Sequence, residues 1–254
     1  MTIAIVTITY NNASGLRRTI DSIRRQTYKD IYHIIVDGES TDGTADLLAE
    51  ASSSGESVVI TCAPAGVYNA INVGIDHALA SGAEVIGLLH AGDTYSSDDV
   101  VEAVADVFAQ TDADFVYGDL HYSNAAGKVV RYYGASHFEP SMLRQGYAPG
   151  HPTLYVTRRT ALAAGHYDET YRVGGDFEMW LRLFEDSRLR PQYIPKDMVC
   201  MDTGGLSQRW YSRLVTNNRE RMRSLRRHGL PASHLNILKH YIHVIKSYIC
   251  RKQH

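Results

Sequence analysis

The chain has 254 residues, 44% hydrophobic and 21% charged, a composition that suits a folded globular protein and excludes a disordered or fibrous one. Its three cysteines, Cys62, Cys200 and Cys250, lie far apart with no CxxC pair, which argues against a disulfide scaffold or zinc centre and fits a reducing cytosol. The net charge of −2 conceals a division: from Arg209 onward eleven Lys and Arg face one acid, Glu220, a balance of +10, while residues 1–208 carry −12. No apolar run reaches the roughly 18 residues of a spanning helix, and no charged leader precedes the first apolar stretch, so a cytoplasmic protein is expected.

In chain order, Ile3–Thr9 is a continuous β-branched run, the pattern of a strand buried on both faces of a parallel sheet. Ser14 is placed to cap a helix carrying Leu16, Ile20 and Ile23. Further strands are predicted at Ile31–Val36, Val58–Thr61 and Val85–Leu89, and another begins at Phe115–Tyr117. Helices are predicted through Leu47 and Leu48, through Tyr68, Ile71, Ile75 and Leu79, and over Val100–Phe108. This alternation implies βαβ crossovers and a doubly wound α/β sheet. After Asp119, Ala125-Ala126-Gly127 reads as a hairpin turn between Tyr-rich strands, which makes the sheet mixed. Thr153–Val156 reads as a strand, and Arg158–Ala164 and Asp176–Glu185 as helices. Past Gly204-Gly205 two helices are expected, over Ser212–His228 and His234–Cys250.

Ligands of open parallel sheets bind at the carboxyl ends of the strands. Polar clusters stand there: Thr9-Tyr10-Asn11-Asn12, then Asp37 to Asp42, then His90 to Tyr95. Neither GxGxxG nor GxxxxGK[ST] follows the first strand, which excludes the dinucleotide fingerprint and the P-loop. Asp37 can accept a ribose hydroxyl, Tyr10 can stack on a base, and Asp93 can hold a hard divalent cation shared with a diphosphate.

The ordered set IVTITYNN, VDGESTDGT, GVYNAINVGIDHA, LLHAGDTY, YGD, GHPTLYVTRR, GGDFEMWLR and GGLSQ resembles glycosyltransferase family 2, in particular its bacterial exopolysaccharide, O-antigen and glycolipid branch. The resemblance spans residues 3–208 and implies the GT-A fold, a GDP- or UDP-linked sugar donor, Mn²⁺ or Mg²⁺, and inversion at the anomeric carbon. It implies a catalytic domain over 1–208, with a nucleotide-binding half at 1–118 and an acceptor-binding half at 119–208, followed by a basic helical tail at 209–254. Carried over by position, Thr9, Tyr10 and Asn12 border the nucleoside, and Asp37 holds the base or ribose within a loop ordered by Ser40 and Asp42. Tyr68 and Asn69 line the donor pocket with Asn72 in support, and His90 and Gly92 flank the metal residue Asp93. Asp176 matches the general base, with Glu178 as the alternative, and His151 and Arg182 are assigned to the acceptor. Asp93 lacks an acid at 91 or 92, His90 stands where Asn is usual, and Glu39 replaces the common Gly or Asp.

The resemblance therefore predicts a metal-dependent, inverting transfer to a glycan or lipid-linked acceptor of a bacterial surface polysaccharide or glycolipid. Gly204–Ser207 would fold over the diphosphate. The rival class is a nucleotide-sugar-binding protein of the same fold without transfer activity. In the last predicted helix Leu238, Ile242, Ile245 and Ile249 form an apolar face rimmed by cations. That face suits an anionic membrane surface on the inner leaflet, the body of the protein or a second copy in a homodimer. No nucleic-acid-binding motif accompanies the basic tail.

Overall fold

A computed structural model describes residues 1–202 and 210–233. Side chains of a strand alternate between the faces of its sheet, and the first strand buries both sets. In β1 (Ile3–Thr9), Ile3 and Ile5 pack with Ile23, Val100 and Val104 on one side, while Ala4 and Val6 pack with Ile71 and Ala78 on the other. A run with no polar alternation thus becomes a strand covered by helices on both faces. After it come α1 (Ala13–Arg24), β2 (Ile31–Asp37), α2 (Thr44–Ser53), β3 (Ser57–Thr61), α3 (Val67–Ala80), β4 (Val85–Leu88), β5 (Thr94–Tyr95) and α4 (Val100–Gln110). The second half contributes β6 (Phe115–Ser123), β7 (Val129–Tyr133), β8 (Tyr155–Thr157), α5 (Arg158–Ala164), α6 (Gly175–Glu185), β9 (Pro191–Asp202) and α7 (Trp210–Arg227).

The nine strands of the described residues form one sheet in the order β3-β2-β1-β4-β8-β6-β9-β5, with β7 paired to β6. The pairs β1–β2, β1–β4, β2–β3 and β6–β9 are parallel. The remaining pairs, among them the β6–β7 hairpin, are antiparallel, so the sheet is mixed as the sequence predicts. Because β6 runs through residues 118 and 119, the two halves drawn from the sequence share a strand.

Several elements differ from the sequence reading. Asn12, not Ser14, caps α1: its Oδ1 accepts from the Gly15 amide at 3.2 Å. Residues 151–153 form a 3₁₀ turn before β8, where Pro152 has no amide to give a strand ladder. The strands β5 and β9 have no counterpart among the predicted elements; β9 runs unbroken over Pro191–Asp202, but Pro195, Lys196 and Asp197 break its apolar pattern. The region predicted as the start of a tail is built into the body, since α7 packs on α6 with Met222, Ser224 and Leu225 buried. The predicted helix at 234–250, with its membrane or dimer contact, and the Gly204–Ser207 loop lie outside the described residues. Among the described residues no helix is long and apolar enough to cross a membrane.

Candidate active site

The carboxyl ends of β1, β2 and β4 open onto a cleft of about 750 Å³ whose walls include Thr9, Tyr10, Asn12, Gly38, Cys62, Val67 and His90. Asp37 ends β2 and is buried. Its Oδ1 accepts from Ser40 Oγ at 2.5 Å and its Oδ2 from the Ser40 amide at 3.0 Å. Ser40 Oγ in turn accepts from the Asn11 amide at 2.8 Å, and Asn11 Oδ1 accepts from the Thr41 amide at 2.7 Å. Asp42 takes the Ala13 amide at 3.1 Å, so the acidic loop is tied to the start of α1. This mesh holds Asn11 and Glu39 at φ of 50° and 62°. Asn tolerates the left-handed region, but Glu39 there costs about 1 kcal/mol relative to glycine. Tyr10 is 60% exposed, and a Cβ at Gly38 would come within 3.3 Å of its ring. An open aromatic face over a bare backbone can receive a base.

The turn after β4 is pinned from α1. Thr19 Oγ1 accepts from the Gly92 amide at 3.0 Å and donates to the Asp93 carbonyl at 2.7 Å. Asn12 Nδ2 donates to the Ala91 carbonyl at 2.9 Å, so this cap residue also joins the first and third polar clusters. Gly92 has φ of 109°, a conformation side chains resist, which explains glycine at that place. Asp93 is 9% exposed, and no described side chain donates to its carboxylate. Burial first, and the nearby charge of Asp202 second, push its pKa up to about 7. A carboxylate so placed favours a cation, and one acid plus a diphosphate and water is a donor set Mg²⁺ or Mn²⁺ accepts. No group of three or more acidic, His or Cys ligands occurs among the described residues, so such an ion would hold to the protein mainly through Asp93.

A second cleft, of about 390 Å³, shares Val67 and His90 with the first and adds Asp93, His151, Asp176, Arg131 and Arg221. Asp176 lies in the first turn of α6, one residue inside the helix rather than at its cap, and its Oδ1 accepts from the Phe177 amide at 2.8 Å. Two distant residues set that turn. Tyr68 Oη on α3 accepts from the Gly175 amide at 2.8 Å and the Asp176 amide at 3.3 Å. A Cβ at Gly175 would come within 2.7 Å of the Tyr68 ring, so only glycine lets the tyrosine so close. Glu220 on α7 is buried and accepts from the amides of Arg172, Val173 and Gly174 at 2.9, 2.9 and 2.7 Å.

The rings of His90 and His151 lie 5.7 Å apart. Burial lowers the pKa of both, that of His90 to about 3 with help from His151, so both are neutral at pH 7. His90 Nδ1 and Thr9 Oγ1 are buried with no hydrogen-bond partner among the described residues, and both residues line the first cleft. Buried polar atoms are rarely left unpaired. These two are available to a ligand.

The structure thus brings Thr9, Tyr10, Asn12 and His90 to one cleft, and Tyr68, His90, Asp93, His151 and Asp176 to the next. Asp37, Ser40 and Gly92 lie next to the first cleft's wall without lining it, and Asn69, Asn72 and Arg182 line neither cleft. Asn72 bonds the Tyr167 backbone and Glu169, each at 2.9 Å, and Asn69 bonds Glu169 at 3.2 Å. Arg182 pairs with Glu178 at 2.8 Å and bonds the Ala164 carbonyl. Glu178, the alternative base, is occupied by Arg182 and by His228 at 3.4 Å. Sequence reasoning missed Thr19 and Glu220 as site-building residues. Glu220 carried a signal, being the lone acid in a strongly basic stretch.

The family profile for Glycosyl transferase family 2 matches residues 4–164. A PGL/p-HBAD biosynthesis glycosyltransferase of Mycobacterium bovis is 30% identical over 207 residues, covering 80% of this chain and 78% of the relative. An uncharacterized glycosyltransferase of Mycobacterium tuberculosis is 38% identical over 101 residues, 39% of this chain and 37% of the relative. Among solved structures, the mannosyltransferase PcManGT from Pyrobaculum calidifontis in complex with GDP-Man and Mn²⁺ superposes with TM-score 0.65 at 14% identity, over 89% of this chain. S. aureus TarS 1–349 in complex with UDP-GlcNAc superposes with TM-score 0.65 at 13% identity, also over 89%. The chain spans 63% and 66% of those two chains, and at this identity the likeness establishes the GT-A fold alone.

Proposed function

The chain belongs to glycosyl transferase family 2, and from that premise we propose that it moves a sugar, with inversion, from a nucleoside-diphosphate donor to a glycan or lipid-linked acceptor. The observation that carries this reading is that the two clefts adjoin, sharing Val67 and His90 as walls, with Asp93 and Asp176 in the second. The first cleft takes the nucleoside: Tyr10 stacks on the base, and Asp37 with its meshed loop shapes the ribose end. The orphaned Thr9 Oγ1 and His90 Nδ1 meet donor atoms.

Inverting transfer is one in-line displacement. Asp176, fixed by Tyr68 and Glu220, takes the proton of the acceptor hydroxyl as that oxygen attacks the anomeric carbon. Neutral His151 lies in the same cleft to hydrogen-bond a sugar or acceptor hydroxyl. A Mn²⁺ or Mg²⁺ ion held by Asp93 and the donor would stabilise the charge of the leaving diphosphate. The GDP-Man, UDP-GlcNAc and Mn²⁺ named with the fold neighbours support this chemistry, and the relatives' role in PGL/p-HBAD biosynthesis supports a biosynthetic acceptor.

Asp176→Asn tests the reading. Transfer is expected to fall by about 10²–10⁴, while donor with Mn²⁺ still raises the melting temperature as in the wild type. Undiminished turnover would remove Asp176 from the role of base.

A further inference from the structure

Behind the second cleft, β6 and β9 carry a trio that the transfer reaction does not use. Leu120 and Tyr122 line the cleft, so His121 between them faces the opposite side of the sheet, as Cys200 does beside the cleft-lining Met201. The parallel pairing sets His121 against Cys200. His121 Nδ1 lies 2.8 Å from Asp197 Oδ2, the imidazole is the cross-strand neighbour of the Cys200 thiol, and Ser123 Oγ lies 3.0 Å from Sγ. Ser96 Oγ on the β5 side donates to the other oxygen of Asp197 at 3.2 Å. Cys200 is half-buried, and the His121 and Asp197 side chains are 14% and 25% exposed, so small reagents reach the group.

A carboxylate that orients an imidazole beside a thiol is the arrangement that generates a thiolate nucleophile. Burial, and to a smaller degree the Asp197 charge, push the Cys200 thiol up, but interaction with His121 and Ser123 outweighs them and holds the thiol below its ordinary range. His121 is raised to about 10, foremost by its bond to Asp197. Cys62, at the wall of the first cleft, is the opposite case: burial, then Asp37 and Glu39, push its thiol up. The other charges along this edge are paired, Lys196 with Asp99 and Arg18 with Asp202.

We propose that Cys200 is a covalent modification site, a reactive thiolate set up by His121 and Asp197 and open to small soft electrophiles such as hydroperoxides. With hydrogen peroxide as oxidant, the sulfur forms an S–O bond as the O–O bond breaks. Hydroxide departs and takes a proton from His121 to become water, and the cysteine, oxidised by two electrons, becomes a sulfenic acid.

The test is the pH dependence of alkylation of the native full chain by iodoacetamide, read peptide by peptide by mass spectrometry, with Cys62 as the internal reference. Cys200 is expected to reach half its limiting rate at a lower pH than Cys62, and to react about fivefold faster at pH 6.5. His121→Gln should move the Cys200 midpoint up toward that of an ordinary thiol, and Asp197→Asn should move it part of the way. Brief peroxide treatment followed by dimedone should label the Cys200 peptide before the Cys62 peptide. A wild-type Cys200 profile that overlaps that of Cys62, or one that both variants leave unmoved, overturns the proposal. The wild-type profile decides the matter even where a variant fails to fold.

Discussion

Asp37, buried next to the cleft-lining Gly38, and Asp176, in the wall of the second cleft, are carboxylates held over very different ranges of sequence. Asp37 is fixed by Ser40, three residues on, within a loop that also closes on Asn11. Asp176 is fixed by Tyr68, 108 residues earlier, and through the 172–174 backbone by Glu220, more than 40 residues later. The Asp37 loop is therefore held by a mesh confined to residues 11–42. The second cleft exists only when α3, α6 and α7 have docked. Damage to the loop should weaken donor binding, and damage to the second cleft should slow transfer.

The sharpest way to break that contrast is Glu220→Ala. It strips the acceptor from three amides, the one at Gly174 buried, and each loss costs about 1–3 kcal/mol when water cannot replace it. Unfolding free energy should fall by about 3 kcal/mol, a drop of roughly 6–12 °C in melting temperature for a chain of this size. A melting temperature within a degree of wild type would show that α7 is not part of the catalytic body.

Tyr68→Phe is milder, because it removes one hydroxyl and keeps the ring against Gly175. The turnover number should drop about tenfold, equivalent to about 1.4 kcal/mol, with the donor dissociation constant unchanged. Equal losses in both would deny the separation of the clefts. Asp37→Asn is the mirror experiment: its new amide faces the Ser40 donors, so donor affinity should weaken about tenfold while turnover at saturating donor stays within twofold.

The same difference in range explains how much of the molecule is legible in its sequence. The alternation of Ile3–Thr9, Ile31–Asp37 and Val85–Leu88 with amphipathic helices is local and legible, as is the 125–127 hairpin turn. Asp37 and Asp42 declare themselves because each has a partner in the same short stretch, Ser40 and Thr44. β9 does not, since its identity depends on pairing with β6 and β5, and its own residues break the apolar period. Asn69 and Asn72 look like pocket residues in a motif, yet they turn to the 167–169 segment, a choice made by packing that spacing does not reveal. The placement of Asp176 by Glu220 is of the same kind.

The smallest effect concerns how the nucleotide half meets acid. His33 is buried in β2, between Thr7 of β1 at 2.9 Å and Ser57 of β3 at 2.7 Å. It therefore ties three neighbouring strands beneath the first cleft. Burial, with a smaller contribution from Arg24, lowers its pKa to about 3. Below its unfolded value of 6.5 the unfolded chain binds a proton that the native imidazole refuses, so the stability it allows is complete above 6.5 and is lost as the pH falls toward 3. At pH 5.5 that loss is about 1 kcal/mol for this one group. Urea unfolding at pH 7.5 and 5.5 should show the wild type losing about 1 kcal/mol more between the two than His33→Asn, which retains a polar side chain but does not titrate. Identical losses in the two proteins would mean that His33 gains its proton without disturbing the three strands, and that the acid sensitivity of this half resides elsewhere.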